Sequence, residues 1–380
     1  MNGISDQQIA AFRLERHRLA GTPKRTSPAG IARALCGIQA QVYSAAQLGV
    51  WTRSAVHPPA STDRALWKQR TLVKTWSMRS TLHLHAAGEL PLYLGALRCW
   101  HRWIEKRMLR DGVTLQQVER ITAAIMDVMG SADATHGGFM TRREMAALVA
   151  EEHGEKVRAW LESGWGGMLK HLVQNGLICF GPPRGGETTF VRVDAWLGGM
   201  ELMEEETALV ELARRYLRAY GPASPQDFAF WAGMPVAAAS AAFRLLRDET
   251  ADVETGRGRA MILRTDLARL RSAAHGESSI VLLPYFDTWL LSHRDKSPLV
   301  PPAFYKRVYR DAGWIAATVL EEGRVVATWG IVRRGREADF TIEPFAPLRR
   351  RVRHAVAERA EAIAAMLGAA SCSVSFAPAS

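Results

Sequence analysis

Gln39-Ala40-Gln41 holds the two side chains whose types and spacing are best suited to handling a water molecule. Each amide has a carbonyl oxygen that accepts from water and an NH2 group that donates to neighbouring oxygens. Neither has useful basicity, so such a pair positions a nucleophile rather than deprotonating it. Residues two apart on a continuous helix point about 200° apart. Both amides can reach one water only where the chain leaves helical geometry. The plainer reading is two exposed polar residues in a helix connection. A second cluster, His293-Arg294-Asp295, invites an acid–base reading. Adjacent residues seldom form a working pair and no partner serine stands out, so a structural or ligand-facing loop is expected there.

The elements around the glutamines favour a break. Ser5 or Asp6 can cap a first helix reaching about Ala20, and Thr22-Pro23 ends it. Ser27-Pro28 is a strong helix start, with a capping serine and proline at the first helical position. Ile31, Leu35 and Ile38 then fall on one face. A third helix is expected from Ser44, where Ser44-Ala45-Ala46-Gln47 reads as a capping box. The glutamines therefore lie at a helix-to-helix junction. Residues 71–85 alternate like a strand pair about Arg79-Ser80. Helix, helix, hairpin is the order of a winged helix, and it recurs twice. After a long helical stretch from about Glu89 to Gly130, helices at Met140–His153 and Trp165–Asn175 precede a hairpin over 177–194. Helices over 224–232 and 235–247 precede another over 251–264. Residues 279–345 alternate as a small β domain, closed by a helix from about Ala346 to Leu367 and a short strand near Ser373–Phe376.

The chain has 380 residues, enough for several domains and a large core. Its 49 Lys and Arg against 38 Asp and Glu give a net charge of +11, which suits a polyanionic partner, nucleic acid or an anionic membrane surface. Charge alone does not choose, because only 8 of the basic residues are lysine and an arginine-rich chain can reflect a GC-rich genome. Cys36, Cys99, Cys179 and Cys372 form no CxxC pair, which argues against a zinc site and against a disulfide framework. There is no charged leader with an apolar run and no window of about 18 apolar residues. A soluble, cytoplasmic protein is expected.

Several segments together resemble the AlkZ/YcaQ-like winged-helix DNA glycosylases. Gln39-Ala40-Gln41 is similar to that family's Gln-aliphatic-Gln motif. Trp76 through His83 (WSMRSTLH) resembles its Arg-Gly-Thr-Leu-His wing, with Ser80 replacing the usual glycine. Residues 220–234 (YGPASPQDFAFWAGM) resemble its third helix-turn-helix entry. Phe286-Asp287 followed by Leu290 through Asp295 is similar to its β-domain signature, and Gly313-Trp314-Ile315 through Trp329-Gly330 resembles the strands after it. The likeness spans roughly residues 5 to 367, and it rests on the order and spacing of the motifs.

The resemblance implies an α+β, mainly α, fold: three tandem winged helix-turn-helix units followed by a small β domain, around a concave basic DNA-binding face. The expected divisions are 1–88, 89–199, 200–275 and 276–380. It implies a monofunctional DNA glycosylase that removes cationic N7-alkylated purines, in some members with unhooking of interstrand crosslinks, leaving an abasic site. Gln39 and Gln41 would be catalytic. Arg53, Arg79, His83, His293, Arg294, Arg333, Arg334 and Arg336 are the candidate DNA contacts, joined by Arg349, Arg350, Arg351 and Arg353. The last four crowd a helix start, where cations oppose the macrodipole and so gain something elsewhere. No cofactor or metal is expected, and the partner would be damaged double-stranded DNA bound by a monomer, near the nucleoid. The competing reading is a non-catalytic winged-helix DNA-binding protein or transcriptional regulator. Regulators commonly bind palindromic sites as dimers, and no dimerisation helix is evident.

Overall fold

The computed structural model describes residues 3–21, 25–54, 60–110, 112–131, 138–163, 166–274 and 280–379. It is a mixed α+β fold of two compact units, one comprising Met1–Thr62, Ala213–Trp231 and Pro235–Ser380, the other Asp63–Leu212 and Ala232–Met234. Thr22-Pro23 lies outside the described residues.

In the larger unit the first helix is Asp6–Arg16. Ser5 caps it reciprocally with Gln8: the Ser5 hydroxyl accepts from the Gln8 N–H at 3.2 Å and the Gln8 carbonyl oxygen accepts from the Ser5 N–H at 3.0 Å. The helix stops short of Ala20 because Arg18 turns left-handed (φ 58°). Leu19 N–H then reaches back to Leu14 O at 2.8 Å and Arg18 N–H to Glu15 O at 3.0 Å, a Schellman termination. Ser27 caps the second helix, Pro28–Ala34, as its sequence requires. The third begins at Tyr43, with Val42 at the cap position and no side-chain cap bond. Ser44 therefore lies within the first turn, and the expected capping box at Ser44 does not form.

The Pro225–Ala232 and Val236–Leu245 helices precede an antiparallel hairpin of Thr250–Thr255 with Gly258–Leu263. The β domain is a five-stranded sheet ordered Ser371–Phe376, Glu337–Pro344, Arg324–Arg334, Thr318–Glu321, Ile280–Leu283. All neighbours are antiparallel except the Ser371–Phe376 edge. Helix Arg350–Met366 covers it with Val352, Val356, Ala360, Ile363 and Ala364, the stripe of an amphipathic helix. It starts at Arg350 rather than near Ala346 because Pro347 disfavours helical geometry in the residue before it.

Two buried interactions tie the early helices to this domain. Arg53, at the end of the Tyr43–Thr52 helix, meets Asp287 through two parallel bonds, Nη1 to Oδ2 at 2.8 Å and Nη2 to Oδ1 at 2.7 Å. Their side chains are 1% and 2% exposed. Two more Arg53 bonds go to Gly49 O at 3.0 Å and His17 O at 3.1 Å, and Asp287 also accepts from Trp289 N–H at 2.9 Å. Every nitrogen and oxygen of the pair's charged groups therefore has a hydrogen-bond partner, the condition under which a buried ion pair is tolerated. His17 in turn packs edge-on between Tyr220 and Trp289, ring centroids 4.8 and 5.0 Å away.

In the smaller unit, Leu72–Trp76 and Leu82–Ala86 form the expected antiparallel hairpin, turning through left-handed Arg79 and Ser80 (φ 55° and 57°). The helical stretch expected over Glu89–Gly130 is divided into Leu90–Ala96, Arg98–Arg110 and Leu115–Ser131. Gly112 is left-handed, and Thr114 forms a capping box with Gln117 at the start of the third. Thr141 and Glu144 cap Arg142–His153 in the same way. Met145, Val149, Leu161, Leu169, Leu172 and Phe190 are among the residues that fill the core.

Removing one partner of the buried pair leaves an uncompensated charge. Asp287→Ala is expected to cost about 3–5 kcal/mol of stability, whereas Arg53→Met/Asp287→Leu should cost less than the sum of the single changes. Urea unfolding of Asp287→Ala, of Arg53→Met and Asp287→Leu singly, and of the double variant checks this.

Candidate functional site

The Gln39-Ala40-Gln41 segment owes its conformation to how the preceding helix ends. Cys36 is left-handed (φ 54°) and Gly37 follows at φ 100°. Gly37 N–H bonds to Ala32 O at 2.8 Å and Cys36 N–H to Arg33 O at 3.3 Å. That second Schellman termination throws the chain out of helical register, and Ile38–Gln39 is extended. Gln41 lies in the bend before the Tyr43–Thr52 helix. The non-helical geometry that the amide pair requires is thus present. The two side chains differ in setting: Gln39 is 6% exposed, and Gln41 is open to solvent.

Both ends of the segment are anchored. Upstream, the Tyr220 hydroxyl donates to Leu35 O at 2.7 Å. Downstream, the Tyr43–Thr52 helix is held through Arg53 by Asp287. Burial and the nearby positive charges of Arg53 and Arg13 hold His17 well below the usual imidazole pKa, so this anchor is neutral at pH 7. Between Leu35 and Arg53 the sequence has no Asp, Glu, His or Lys. The segment offers amides and no side-chain proton donor of carboxylic or imidazole type.

The candidate DNA contacts divide sharply. Arg53 is a correction: its guanidinium is enclosed by Asp287, Gly49 and His17 and reaches no surface. His293 is buried as well. Its Nε2 lies 2.7 Å from Arg13 Nη2, and burial, with Arg13 and Lys296 beside it, keeps its pKa far below normal. Asp295 is engaged by Ser297 through its N–H at 2.9 Å and hydroxyl at 3.0 Å, so His293 and Asp295 form no acid–base pair. Arg294 between them is exposed, its N–H donating to Asp227 at 3.1 Å.

In the smaller unit His83 is buried, with Nδ1 3.0 Å from Thr81 O and its ring stacked on His85. It too is structural rather than surface-facing. Arg79 is half-buried at the hairpin turn. Arg333, Arg334 and Arg336 are exposed about the Arg324–Arg334/Glu337–Pro344 turn. Arg334 pairs with Asp339 at 3.2 Å, and Arg333 and Arg336 have no acidic partner among the described residues.

The arginines at the last helix are differently employed from one another. Arg349 pairs with Glu321, and Arg353 lies over the Phe376 ring at 4.4 Å. Arg350 and Arg351 are exposed. The cost of cations at this helix start is therefore met in part within the fold, at Glu321 and Phe376. His17, Tyr220 and Asp287 are the positioning residues that sequence reasoning missed. Asp287 and Tyr220 carried a signal, as parts of the Phe286-Asp287 and 220–234 motifs, and His17 carried none.

Comparison with known proteins gives the class and then the family. A family model described as DNA glycosylase AlkZ-like matches residues 32–366. An interstrand DNA cross-link repair glycosylase of Streptomyces sahachiroi is 32% identical over 371 residues, covering 95% of this chain and 96% of the relative. The solved structure of Streptomyces sahachiroi DNA glycosylase AlkZ superposes with a TM-score of 0.86 at 31% identity, covering 99% of this chain and 100% of that one. The fold is that of a DNA glycosylase. The chain belongs to the AlkZ-like family of these enzymes, which sets the regulator reading aside. Among the described residues no helix is long and apolar enough to cross a membrane.

The buried histidines make stability pH-dependent. His17, His293 and His83 have folded pKa values below their unfolded ones, so the unfolded chain gains protons first as pH falls. Their effect is absent well above about pH 6.5 and grows below it, by about 1.4 kcal/mol per pH unit per histidine. Urea midpoints should fall from pH 7.5 to 5, and His17→Gln should reduce that slope by about one proton. An unchanged slope in His17→Gln would show that His17 is not the neutral buried group described.

Proposed function

We propose that this glycosylase hydrolyses the N-glycosidic bond of cationic N7-alkylated purines in duplex DNA. The observation that carries the reading is the amide pair on a non-helical, doubly anchored segment that lacks Asp, Glu, His and Lys. Two amides cannot protonate a neutral leaving base. A purine alkylated at N7 already bears a positive charge, and the electron pair of its breaking C1′–N9 bond neutralises it. The sugar is left as an oxocarbenium-like centre. A water held by the Gln39 and Gln41 carbonyl oxygens bonds to C1′ and gives up its proton to solvent. The product is an abasic site.

The Streptomyces sahachiroi relative is named for interstrand cross-link repair. A crosslink through two purine N7 atoms carries the same cationic leaving group at each end, so its unhooking belongs to the same proposed chemistry. The three helix–helix–hairpin runs along the chain are read as winged helices, and the divisions 1–88, 89–199, 200–275 and 276–380 follow from that reading. Arg79, Arg294, Arg333, Arg336, Arg350 and Arg351 are the proposed backbone contacts. Exposed cations about a hairpin turn suit phosphates or a narrow groove. The enzyme would act as a monomer.

The purified protein should release base from a duplex containing N7-methylguanine, seen as strand cleavage after alkali. Absence of cleavage under conditions of full binding, with both that lesion and a bulkier N7 adduct, would overturn the reading. Gln39→Ala and Gln41→Ala should each slow excision roughly 10²-fold while leaving duplex affinity nearly unchanged. Wild-type excision by both variants would remove the site assignment.

Arg333→Ala and Arg336→Ala address the hairpin. Each should flatten the dependence of log affinity on log salt by about one unit. Duplex titrations across a salt series measure it, and an unaltered slope would take the hairpin out of the interface.

A further inference from the structure

The smaller unit contains a convergence of metal-type donors that the glycosylase chemistry does not use. On helix Arg98–Arg110, His101 and Glu105 stand one turn apart, so both occupy one face. On helix Gly167–Gln174 and its C-terminal cap, His171 and Asn175 repeat the spacing. The donor atoms of His101, Glu105 and His171 all lie within 4.8 Å of one another. His101 Nε2 is 3.5 Å from Glu105 Oε1. The Asn175 amide nitrogen lies 2.8 Å from His101 Nε2 and 3.2 Å from His171 Nε2.

Two imidazole nitrogens thus aim at one point, and an NH2 group occupies it. For both rings to accept from that amide, each must carry its proton on Nδ1 and present a lone pair at Nε2. This is the tautomer a metal-binding Nε2 requires. The same amide nitrogen also lies 3.0 Å from the His171 carbonyl oxygen, so three acceptors compete for its two hydrogens. Rotating the amide by half a turn would bring its carbonyl oxygen to the centre instead. His171 is buried, whereas the His101 and Glu105 side chains are 13% and 30% exposed, which leaves an entry path.

We propose that His101, Glu105 and His171, with Asn175 as a fourth donor, bind a divalent transition cation of the zinc class and join these two helices. Two imidazoles, one carboxylate and one amide oxygen make a borderline donor set, which suits zinc, cobalt or nickel better than magnesium or calcium. Tetrahedral zinc places its donors about 3.3 Å apart at its usual bond lengths, so the cluster closes by side-chain rotation. The cysteines argued against zinc on sequence. These donors are not cysteines, and no local motif joins His101 to His171. The site lies in the unit without Gln39 and Gln41, and its role is to staple helices.

The test uses the full chain, freed of metal by chelator dialysis and titrated with zinc chloride by calorimetry. Cobalt(II) absorption reports the donor geometry. One saturable equivalent is expected, with a rise in Tm at saturating zinc. Binding should be abolished in His101→Ala and weakened about tenfold or more in Glu105→Gln. His354→Ala is the control. His354 and Glu358 form an exposed pair with the same spacing at 3.4 Å, and they are the only two donors there among the described residues. Its loss should leave the titration unchanged. Both diagnostic substitutions fall on partly exposed side chains, and circular dichroism verifies that each variant is folded. Absence of saturable zinc binding in the wild type, or equal binding in folded His101→Ala, would overturn the proposal and leave the cluster a hydrogen-bonded packing contact.

Discussion

The larger unit depends on one buried ion pair. Arg53 and Asp287 are 234 residues apart in sequence, yet each satisfies the other through two bonds of 2.7 and 2.8 Å. Either charge left alone in the core would carry a desolvation penalty of several kcal/mol. The pair therefore fixes where the Tyr43–Thr52 helix sits on the β domain. His17 O and Gly49 O accept two more Arg53 bonds, and Trp289 N–H donates to the Asp287 carboxylate. One guanidinium consequently sets three backbone segments, including the one that leads out of the glutamines.

That arrangement explains how a segment with little regular structure of its own can be precise. Gln39 ends a two-residue strand and Gln41 opens a bend, which is little intrinsic stiffness. Tyr220 holds Leu35 before it, and Arg53 with Asp287 holds the helix after it. Catalysis by positioning tolerates little slack, since misplacement of about 1 Å can cost a hundredfold in rate. Rigid neighbours and neutral amides fit the proposed reaction, in which the leaving group supplies its own charge.

The positive charge of the chain is also less available than its total suggests. Arg53 is consumed in the core, Arg349 and Arg334 have acidic partners, and Arg353 lies on an aromatic ring. What remains for a polyanion is a subset, in which Arg294, Arg333, Arg336, Arg350 and Arg351 are exposed. Net charge measures the field and says little about which residue makes contact.

Much of this was legible locally. Ser5, Ser27-Pro28 and the alternation at 71–85 identify their elements because caps and strand periodicity act over a few residues. The position of the glutamines at a helix break was readable for the same reason. The helix ends at Arg18 and Cys36 were not, since both are non-glycine residues held left-handed by backbone bonds that only the folded chain completes. Burial was not readable either. A histidine or arginine has the same letter at a surface and in a core, so the positions of His83, His293 and Arg53 in the sequence do not tell that they face inward. By itself the sequence determined the elements, the family and the chemistry that two amides can perform. The tertiary structure decided which charged side chains are free to meet DNA and which are spent on folding, because desolvation depends on what surrounds a group rather than on what it is.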